Sequence, residues 1–286
     1  MLDPIKIFHC LQKNDVSFFT GVPDSLLKDF CACVTQNTPN NQHVIAANEG
    51  GAVALAVGYH LATGKVPLIY LQNSGVGNII NPLLSLADPD VYATPLLFVI
   101  GWRGEPSAHD EPQHKKQGRV MLSMLDSMEI PYTIMSSDME QAESSIDQAL
   151  RTARDSSGPV ALIITKDTFG SYQLRQIQSA SMELTREQAI QQILDELSPD
   201  DIVVSTTGMT SREVFEARAQ KNQGHQQDFL TVGGMGHASQ IALGIALQKT
   251  NRQVWCLDGD GAALMHLGSI AINGSCLLYT SPSPRD

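Results

Sequence analysis

Several features of common protein classes are missing from this chain of 286 residues. Its five cysteines form no Cys-x-x-Cys pair and no other metal-ligand spacing, which argues against a cysteine-bound metal site. Lysine and arginine number 19 against 30 acidic residues, and the net charge of −11 argues against a nucleic-acid or anionic-membrane binder. No apolar run reaches membrane-spanning length, and the N-terminus lacks a basic-then-apolar signal pattern. We therefore expect a cytoplasmic protein with no nucleic-acid or membrane partner.

What the chain does contain is a regular alternation of short apolar runs and helical segments. Apolar runs at 66–71, 95–100 and 160–164 indicate buried strands, those at 202–205 and 254–257 indicate further strands, and helical stretches such as 140–154 lie between them. We expect Asp24 or Ser25 to cap a helix through Phe30, and Thr185 and Gln188 to form a capping box at the start of another. This alternation predicts parallel sheets with helices on both faces. The pattern restarts after a polar stretch. We therefore predict two successive doubly wound α/β domains, residues 1–170 and 185–286, joined by a linker at 171–184.

The Gly259-Asp260-Gly261 motif follows a predicted strand at 254–257 and precedes a stretch with helical character. Ligands bind at the carboxyl ends of parallel strands, and helix amides there favour phosphate. The glycines let a ligand approach the backbone closely, and the Asp260 carboxylate is a hard oxygen ligand suited to magnesium. The motif by itself fits equally well a strand-ending turn that uses Asp and Gly for their conformations.

Three further turns follow predicted strands and could add to such a site. They are Asn73 to Asn78, Thr206-Thr207-Gly208, and Gly233 to Gly236. Each alone is weak evidence, because glycine-rich turns are common in α/β proteins. Their convergence beside Asp260 would suit a diphosphate cofactor with magnesium.

Glu49 opens a predicted helix, 49–62, which Asn48 caps and Gly64 ends. Ala, Val, Leu and Gly dominate this helix, so we expect it to be buried on all sides, with a partner chain as one covering surface. A carboxylate at a helix start often does no more than complement the helix dipole. Here apolar neighbours favour the protonated form while the dipole favours the charged form. Glu49 could therefore hold or share a proton.

Positive charge is concentrated between Gly101 and Arg119. The length of this segment predicts a functional loop rather than a simple connection, and its cations would suit an anionic substrate. The alternative is a solvated face. The basic side chains and histidines of the segment are Arg103, His109, His114, Lys115, Lys116 and Arg119.

Taken together, these stretches resemble the thiamine-diphosphate-dependent decarboxylases, and among them those that act on phosphonopyruvate. The early stretches are specific to the phosphonopyruvate enzymes, whereas Glu49 and Gly-Asp-Gly identify only the cofactor class. The matching stretches, between about Met1 and Asn273, are Gly21 to Lys28, Asn48-Glu49-Gly50, Leu71 to Gly75, Gly101 to Pro106, Asp110 to His114, Gly259-Asp260-Gly261 and Met265-His266.

The resemblance implies a pyrimidine-binding domain first and a diphosphate-binding domain second, with active sites between the subunits of a homodimer or larger homo-oligomer. It also implies thiamine diphosphate and magnesium as cofactors. The implied reaction converts phosphonopyruvate, a small anionic 2-oxo acid, to phosphonoacetaldehyde and carbon dioxide. Sulfopyruvate or another 2-oxo acid is the alternative substrate, because the sequence does not separate a phosphonate from a sulfonate pocket. An inactive fragment or partner subunit is the alternative function.

The resemblance also implies roles for single residues. Glu49 would bond the ring nitrogen of the cofactor's aminopyrimidine, Met235 would bend the cofactor, and Asp260 would ligate magnesium. Asp24, Ser25 and His114 are candidates for proton transfer and substrate contact, while Arg103 and Lys115 are candidates for the phosphonate or carboxylate. The full set of candidate cofactor contacts is Glu49, Asn73, Thr207, Gly208, Gly234, Met235, Gly259, Asp260 and Gly261.

One departure from the family's pattern concerns the end of the chain. The family supplies a second magnesium ligand, usually Asn, some two dozen or more residues after the aspartate. Here 26 residues follow Asp260, and Asn273 is the only Asn among them. The segment from about 275 has neither the strand nor the helix expected next. We therefore expect a truncated second domain with a foreign tail, an exposed flank at strand 254–257, and low solubility.

Overall fold

The structure is a computed structural model that describes residues 1–174 and 183–276. The chain forms two compact units, Met1–Gln178 and Ser179–Asp286. The predicted linker at 171–184 and the predicted foreign tail from about 275 lie largely outside the described residues. At the start of that linker, Tyr172 packs on the first unit, because its amide donates to Asp29 Oδ1 at 2.9 Å.

The first unit is a doubly wound domain built on one parallel sheet. Its strands are β1 Phe19–Gly21, β2 His43–Ile45, β3 Leu68–Gln72, β4 Leu96–Gly101, β5 Tyr132–Ile134 and β6 Pro159–Ile164. Its helices are α1 Pro4–Lys13, α2 Lys28–Asn37, α3 Glu49–Thr63, α4 Val76–Pro82, α5 Pro112–Ser127 and α6 Met139–Ser156. A 3₁₀ turn at Asn73–Gly75 precedes α4, and a π-helical turn at Leu83–Ala87 follows it.

The strand order of this sheet is β2-β1-β3-β4-β6-β5, and every pair is parallel. Apolar side chains of α1, α2 and α6 cover one face, and those of α3, α4 and α5 cover the other. The chain order reverses between β1 and β3, so the connections that leave these two strands diverge. Such a reversal opens a crevice at the carboxyl ends of the strands, where ligands bind in open α/β sheets.

Helix α3 begins and ends as its sequence predicts, but it is buried on one side only within a single chain. Asn48 Oδ1 accepts a hydrogen bond from the Gly51 amide at 2.8 Å, and Gly64 ends the helix with a left-handed φ of +69°. Val53 and its neighbours pack on the sheet, whereas Leu61 is 73% exposed. The expectation of burial on all sides is therefore not met by the residues of this chain alone.

The second unit has a smaller parallel sheet with helices on both faces. Thr185 and Gln188 form the predicted capping box at the start of its first helix. The strands are β7 Ile202–Ser205, β8 Asp228–Leu230 and β9 Val254–Leu257, in the order β8-β7-β9. The helices are α7 Arg186–Glu196, α8 Met209–Gln220, α9 Ala238–Ala246, α10 Asp260–Met265 and α11 Gly268–Ser275. Strand β9 is an edge of the described sheet, as expected, and Trp255 on it is 37% exposed.

The sequence-based expectation about the segment before α5 was wrong, and one strand was not anticipated. The predicted loop from Gly101 to Arg119 is a loop only to Glu111, because Pro112 supplies a preset φ for the first position of α5. Strand β5 was not anticipated, since it has only three residues and sits at the edge of the sheet. Within the described ranges, no helix is both long and apolar enough to cross a membrane.

Candidate active site

The Glu49 carboxylate is buried between the start of α3 and the turn that follows β3. Glu49 is 5% exposed, and Asn78 Nδ2 donates a hydrogen bond to its Oε2 at 2.7 Å. A Cβ on Gly75 would lie 2.4 Å from Glu49 Oε1, so a side chain at this position would displace the carboxylate. The turn from Asn73 to Asn78 therefore sets the position of Glu49.

Asp24 lies after β1, across the crevice from β3, and is also buried. Its Oδ1 accepts a hydrogen bond from Gln72 Nε2 at 2.6 Å, and its Oδ2 accepts one from the Leu26 amide at 2.8 Å. These bonds form an Asx-type turn that bridges two strand ends. The prediction that Asp24 or Ser25 caps the next helix was wrong, because α2 begins at Lys28 with Leu27 in the N-cap position.

Arg103 and Asp110 form a bidentate ion pair inside the loop between β4 and α5. Arg103 Nε and Nη2 donate to the two Asp110 oxygens at 2.7 Å and 2.5 Å, and the amides of Gly104 and Glu111 donate to the same carboxylate. The hydrogen bonds from Arg103 hold the pKa of Asp110 far below its usual range, and the same contact raises the pKa of Arg103. Arg103 Nη1 donates to Ser25 Oγ at 2.8 Å, which ties the loop to the segment after β1.

Asn73 and two glycines hold this loop in place. Asn73 Nδ2 donates to the Arg103 carbonyl at 2.8 Å, and Asn73 Oδ1 accepts from the Arg103 amide at 3.0 Å. Gly104 has a φ of +71°, and a Cβ on Gly118 would lie 1.8 Å from the Gly104 carbonyl oxygen. Trp102 Nε1 donates to the Gly118 carbonyl at 2.8 Å. The loop is therefore packed directly against α5, and the Asn73 amide group is occupied by the protein backbone.

His114 lies in the first turn of α5, next to this ion pair. Burial lowers the pKa of His114, and the positive charge of Arg103 lowers it further, against the opposite effect of Asp110 and Asp24. Its Nδ1 is buried and has no hydrogen-bond partner among the described residues. Lys115, the next residue, is exposed. The structure thus brings Asp24, Ser25, Arg103 and His114 together at the carboxyl edge of the sheet and leaves Lys115 on the surface of α5.

The second unit gathers three turns at the point where its own strand order reverses. The Thr206 amide donates to the Leu257 carbonyl at 2.8 Å, and the Thr206 methyl would be 3.7 Å from a Cβ on Gly259. Met235 Cε lies 3.3 Å from the place of a Cβ on Gly261. The turns 206–208, 233–236 and 259–261 therefore surround the crevice between β7 and β9. The turn from Asn73 to Asn78 belongs to the first unit, where it packs against Glu49.

The backbone conformation around the crevice between β7 and β9, the second crevice, is suited to binding an anion. Gly208 and Gly234 have φ values of +89° and +70°, which favour glycine. Gly208 is the N-cap of α8, and as a glycine it has no side chain that could accept a hydrogen bond from the first amides of the helix. Those amides are left to acceptors other than a capping side chain. Ser211 Oγ lies 2.7 Å from the Thr206 carbonyl oxygen and anchors the turn that carries Thr207. Asp260 is the first residue of α10, and its Oδ1 accepts a hydrogen bond from the Gly261 amide at 2.8 Å.

Both units match a known protein family. Residues 6–130 match "Thiamine pyrophosphate enzyme, N-terminal TPP binding domain", and residues 206–273 match "Thiamine pyrophosphate enzyme, C-terminal TPP binding domain". A phosphonopyruvate decarboxylase of Streptomyces viridochromogenes is 32% identical over 91% of this chain and 67% of its own length. The chain belongs to the thiamine pyrophosphate enzyme family.

More distant members of the thiamine pyrophosphate enzyme family are also similar to this chain. A sulfopyruvate decarboxylase of Methanosarcina acetivorans is 25% identical over 91% of this chain and 69% of its own length. The crystal structure of benzoylformate decarboxylase from Polynucleobacter necessarius is 19% identical, with a TM-score of 0.48, over 88% of this chain and 43% of that protein. The chain thus spans about two thirds of the curated relatives and less than half of this solved structure.

Membership of this family confirms the resemblance seen in the sequence and the prediction of two α/β domains that bind thiamine diphosphate. The residues of the second crevice also fit a magnesium ion. Magnesium usually keeps several waters and is bound through one or two carboxylates beside phosphate oxygens, and Asp260 offers one carboxylate at the start of α10. Asn273 Oδ1 accepts a hydrogen bond from Gln240 Nε2 at 2.7 Å. Among the described residues, no group of three or more His, Cys, Asp or Glu side chains could hold a metal.

Sequence reasoning missed four residues that organise these sites. Gln72 ends β3 and Asn78 lies in the glycine-rich turn that was singled out, but their bonds to Asp24 and Glu49 cross between elements. Asp110 was noted only as part of a matching stretch, although it anchors Arg103. Ser211 had no sequence signal at all, because its role depends on the packing of α8 against β7.

Proposed function

We propose that this chain carries both cofactor-binding domains of a thiamine-diphosphate- and magnesium-dependent decarboxylase that acts on phosphonopyruvate in phosphonate biosynthesis. The observation that carries the proposal is the buried Glu49 carboxylate, held by Asn78 and Gly75 at the head of α3. The similarity to a phosphonopyruvate decarboxylase supports the choice of substrate. Sulfopyruvate is the second candidate, since a sulfopyruvate decarboxylase is also similar over most of the chain.

When bound, thiamine diphosphate supplies a nucleophilic carbon and an electron sink, which is the chemistry that decarboxylation of a 2-oxo acid needs. Glu49 would bond to the aminopyrimidine ring of the cofactor and exchange a proton with it. Asp260 would ligate magnesium, and the turns that carry Thr207, Gly208 and Gly234 would present amides to the diphosphate. Met235 would contact the cofactor from the same crevice.

The cluster in the first unit binds and orients the substrate. His114 is neutral at pH 7 because burial lowers its pKa, and its unpartnered Nδ1 can accept or donate a proton on the reacting group. Asp24 and Ser25 lie at the same edge and hold the substrate's polar atoms. Arg103 uses three of its five N–H groups on Asp110 and Ser25, so two remain for a carboxylate or phosphonate oxygen. Lys115, the other cation predicted to contact the substrate, is exposed on α5 and lies outside this cluster.

A homodimer or higher homo-oligomer is part of this proposal. Leu55 on α3 is 42% exposed, Leu61 is 73% exposed, and Leu84 on the π-helical turn beyond α4 is 43% exposed. An apolar surface next to Glu49 is suited to burial against a second copy of the chain. Sedimentation equilibrium measures the assembly directly, and a strictly monomeric protein would contradict this part.

The test of the proposed reaction is carbon dioxide release from phosphonopyruvate, sulfopyruvate and pyruvate in the presence of thiamine diphosphate and magnesium. The assay uses a protein that extends this chain to the length of its curated relatives. Glu49→Gln should lower kcat by roughly 10²–10⁴, because an amide cannot exchange the proton. Glu216→Gln, an exposed residue of α8, is the matched control and should keep wild-type turnover. Near-normal turnover of Glu49→Gln would remove Glu49 from the reaction.

A further inference from the structure

A small cavity lies against the loop between β4 and α5 in the first unit. Its volume is about 110 Å³. Ligand pockets for whole drug-sized molecules measure roughly 300–1,000 Å³, so this cavity suits one small group rather than a complete ligand. Its wall includes Leu26, Trp102, Arg103, Glu105, Asp110 and Lys166.

The charges in the wall of this cavity are not equally available. Arg103 is bidentately paired with Asp110, which cancels its charge locally. Glu105 Oε1 accepts a hydrogen bond from Ser107 Oγ at 2.7 Å. Lys166 follows β6 and is exposed. In the described parts of the chain, its ammonium group has neither a hydrogen bond nor an ion pair. Lys166 is therefore the cation of this wall that can meet a new anion without breaking an existing pair.

The cavity also adjoins the candidate active site. Arg103 lines the cavity and bonds to Ser25, while His114 feels the charges of Arg103 and Asp110. Arg103 and Asp110 belong both to the wall of the cavity and to this charged cluster, so a small anion in the cavity would lie beside the candidate active site.

We propose that this cavity receives the tetrahedral anionic head of the substrate, and that Lys166 determines the preference for a charged head over an uncharged one. Arg103 then acts chiefly as a positioning residue. Asp110 holds its guanidinium group, and its Nη1 bonds to Ser25. The negative charge of Glu105 repels the anion and lowers the affinity of the cavity for it. This inference rests on the proposed function for the identity of the substrate, but the cavity's preference for an anion can be measured independently.

The first experiment measures binding of methylphosphonate to the 286-residue chain by ³¹P NMR titration. Lys166→Met keeps the aliphatic stem and should raise the Kd roughly tenfold to a hundredfold, the loss expected for one charge-assisted hydrogen bond. Lys116→Met, which removes an exposed lysine of α5, is the matched control and should stay within about twofold of wild type. Lys166→Arg should retain most of the affinity, and Glu105→Gln should increase it.

Either of two results would overturn the proposal: no binding to the wild-type chain, or equal binding by wild type and Lys166→Met. Weaker binding by Glu105→Gln would do the same, because it would show that the negative charge of Glu105 does not oppose an anion in this cavity. If Lys166→Met does not fold, as judged by its thermal melt, Lys166→Gln replaces it as the neutral variant.

The second experiment separates this inference from the proposed function. In the extended protein, Lys166→Met should raise KM for phosphonopyruvate at least about tenfold and change KM for pyruvate by less than about twofold. Equal changes for both substrates would mean that Lys166 does not contact the head group. If the wild-type protein decarboxylates neither phosphonopyruvate nor sulfopyruvate, the proposed function fails, and the methylphosphonate titration still decides whether Lys166 binds an anion.

Discussion

Gly118→Ala tests whether the loop between β4 and α5 is packed as tightly as the structure indicates. A Cβ on Gly118 would lie 1.8 Å from the Gly104 carbonyl oxygen and 2.6 Å from the Arg103 carbonyl oxygen. Both contacts are with backbone atoms, which cannot rotate away as the end of a side chain could. The substitution must therefore move either α5 or the loop that carries Arg103.

The size of the effect follows from two opposing terms. Overpacking a well-packed site costs about 1–3 kcal/mol, and a clash with backbone atoms belongs at the upper end of that range. Alanine in place of glycine inside a helix recovers about 0.5–1 kcal/mol. The net loss in free energy of unfolding is about 2 kcal/mol, which corresponds to a fall in Tm of roughly 4–8 °C for a domain of this size.

Thermal unfolding of the chain measures the stability, and tryptophan fluorescence measures the local displacement. Trp102 Nε1 donates to the Gly118 carbonyl, so movement of Gly118 should expose Trp102 and shift its emission to the red. The chain has two tryptophans, so Trp255→Phe provides a background with Trp102 alone. Gly58→Ala is the matched control: Gly58 lies in α3, and a Cβ there would have nothing within 4 Å.

Gly58→Ala should raise Tm by roughly 1–4 °C, because the helix term acts without a clash. If Gly118→Ala melts at or above the wild-type temperature and leaves the Trp102 emission unchanged, then the close approach of Gly104 to Gly118 is not a property of the folded protein.

Two further predictions concern charge and pH. Asp110→Asn should lower the free energy of unfolding by roughly 1.5–3 kcal/mol, because it breaks charge-assisted bonds to a largely buried Arg103, whereas Asp15→Asn, which breaks a pair with Lys65 at the surface, should cost no more than about 1 kcal/mol. Urea unfolding measures both, and equal losses would show that burial adds nothing. Burial lowers the pKa of His43, whose Nε2 lies 2.8 Å from the Tyr70 hydroxyl, so the folded chain binds fewer protons here than the unfolded chain. Stability from this residue is therefore full above the unfolded pKa of about 6.5 and is lost as the pH falls towards the lowered folded pKa. His43→Gln should reduce the difference in free energy of unfolding between about pH 7.5 and about pH 5.5; an unchanged difference would exclude His43 as a cause.

Local patterns in the sequence were sufficient to predict those features that depend on residues close together along the chain. Asn48, Gly64 and Thr185 cap or end their helices as predicted, because each acts on a backbone group a few residues away. The strands at 202–205 and 254–257 were also predicted with the bounds that the structure gives them. Alternation of strands and helices was enough to indicate parallel sheets, since parallel strands need a crossover and helices supply it.

The exact start of α2 and the length of the loop before α5 were harder to predict. Asp24 has the side chain of a helix cap, but Gln72 from another strand competes for it and draws it across the crevice. The charged segment after β4 was predicted as one long loop, because its length suggested a functional loop. The glycine at position 118 lies inside α5, where Gly104, fourteen positions earlier in the chain, approaches the helix.

The sequence by itself determined the class of fold, the cofactor family and the two acidic residues on which the proposal depends, Glu49 and Asp260. The fold class follows from short-range signals, the apolar period and the helix caps, whereas the cofactor family and the roles of the two acidic residues are what the resemblance of several stretches to a known family implied. Only the tertiary structure decided which charged side chains are paired within the chain and which can meet a ligand. It pairs Arg103 with Asp110 and leaves Lys166 without a partner in the described part of the chain. The Arg103–Asp110 pair depends on how the loop between β4 and α5 packs against Asn73 and Gly118, and the spacing of the two residues along the chain does not encode that packing.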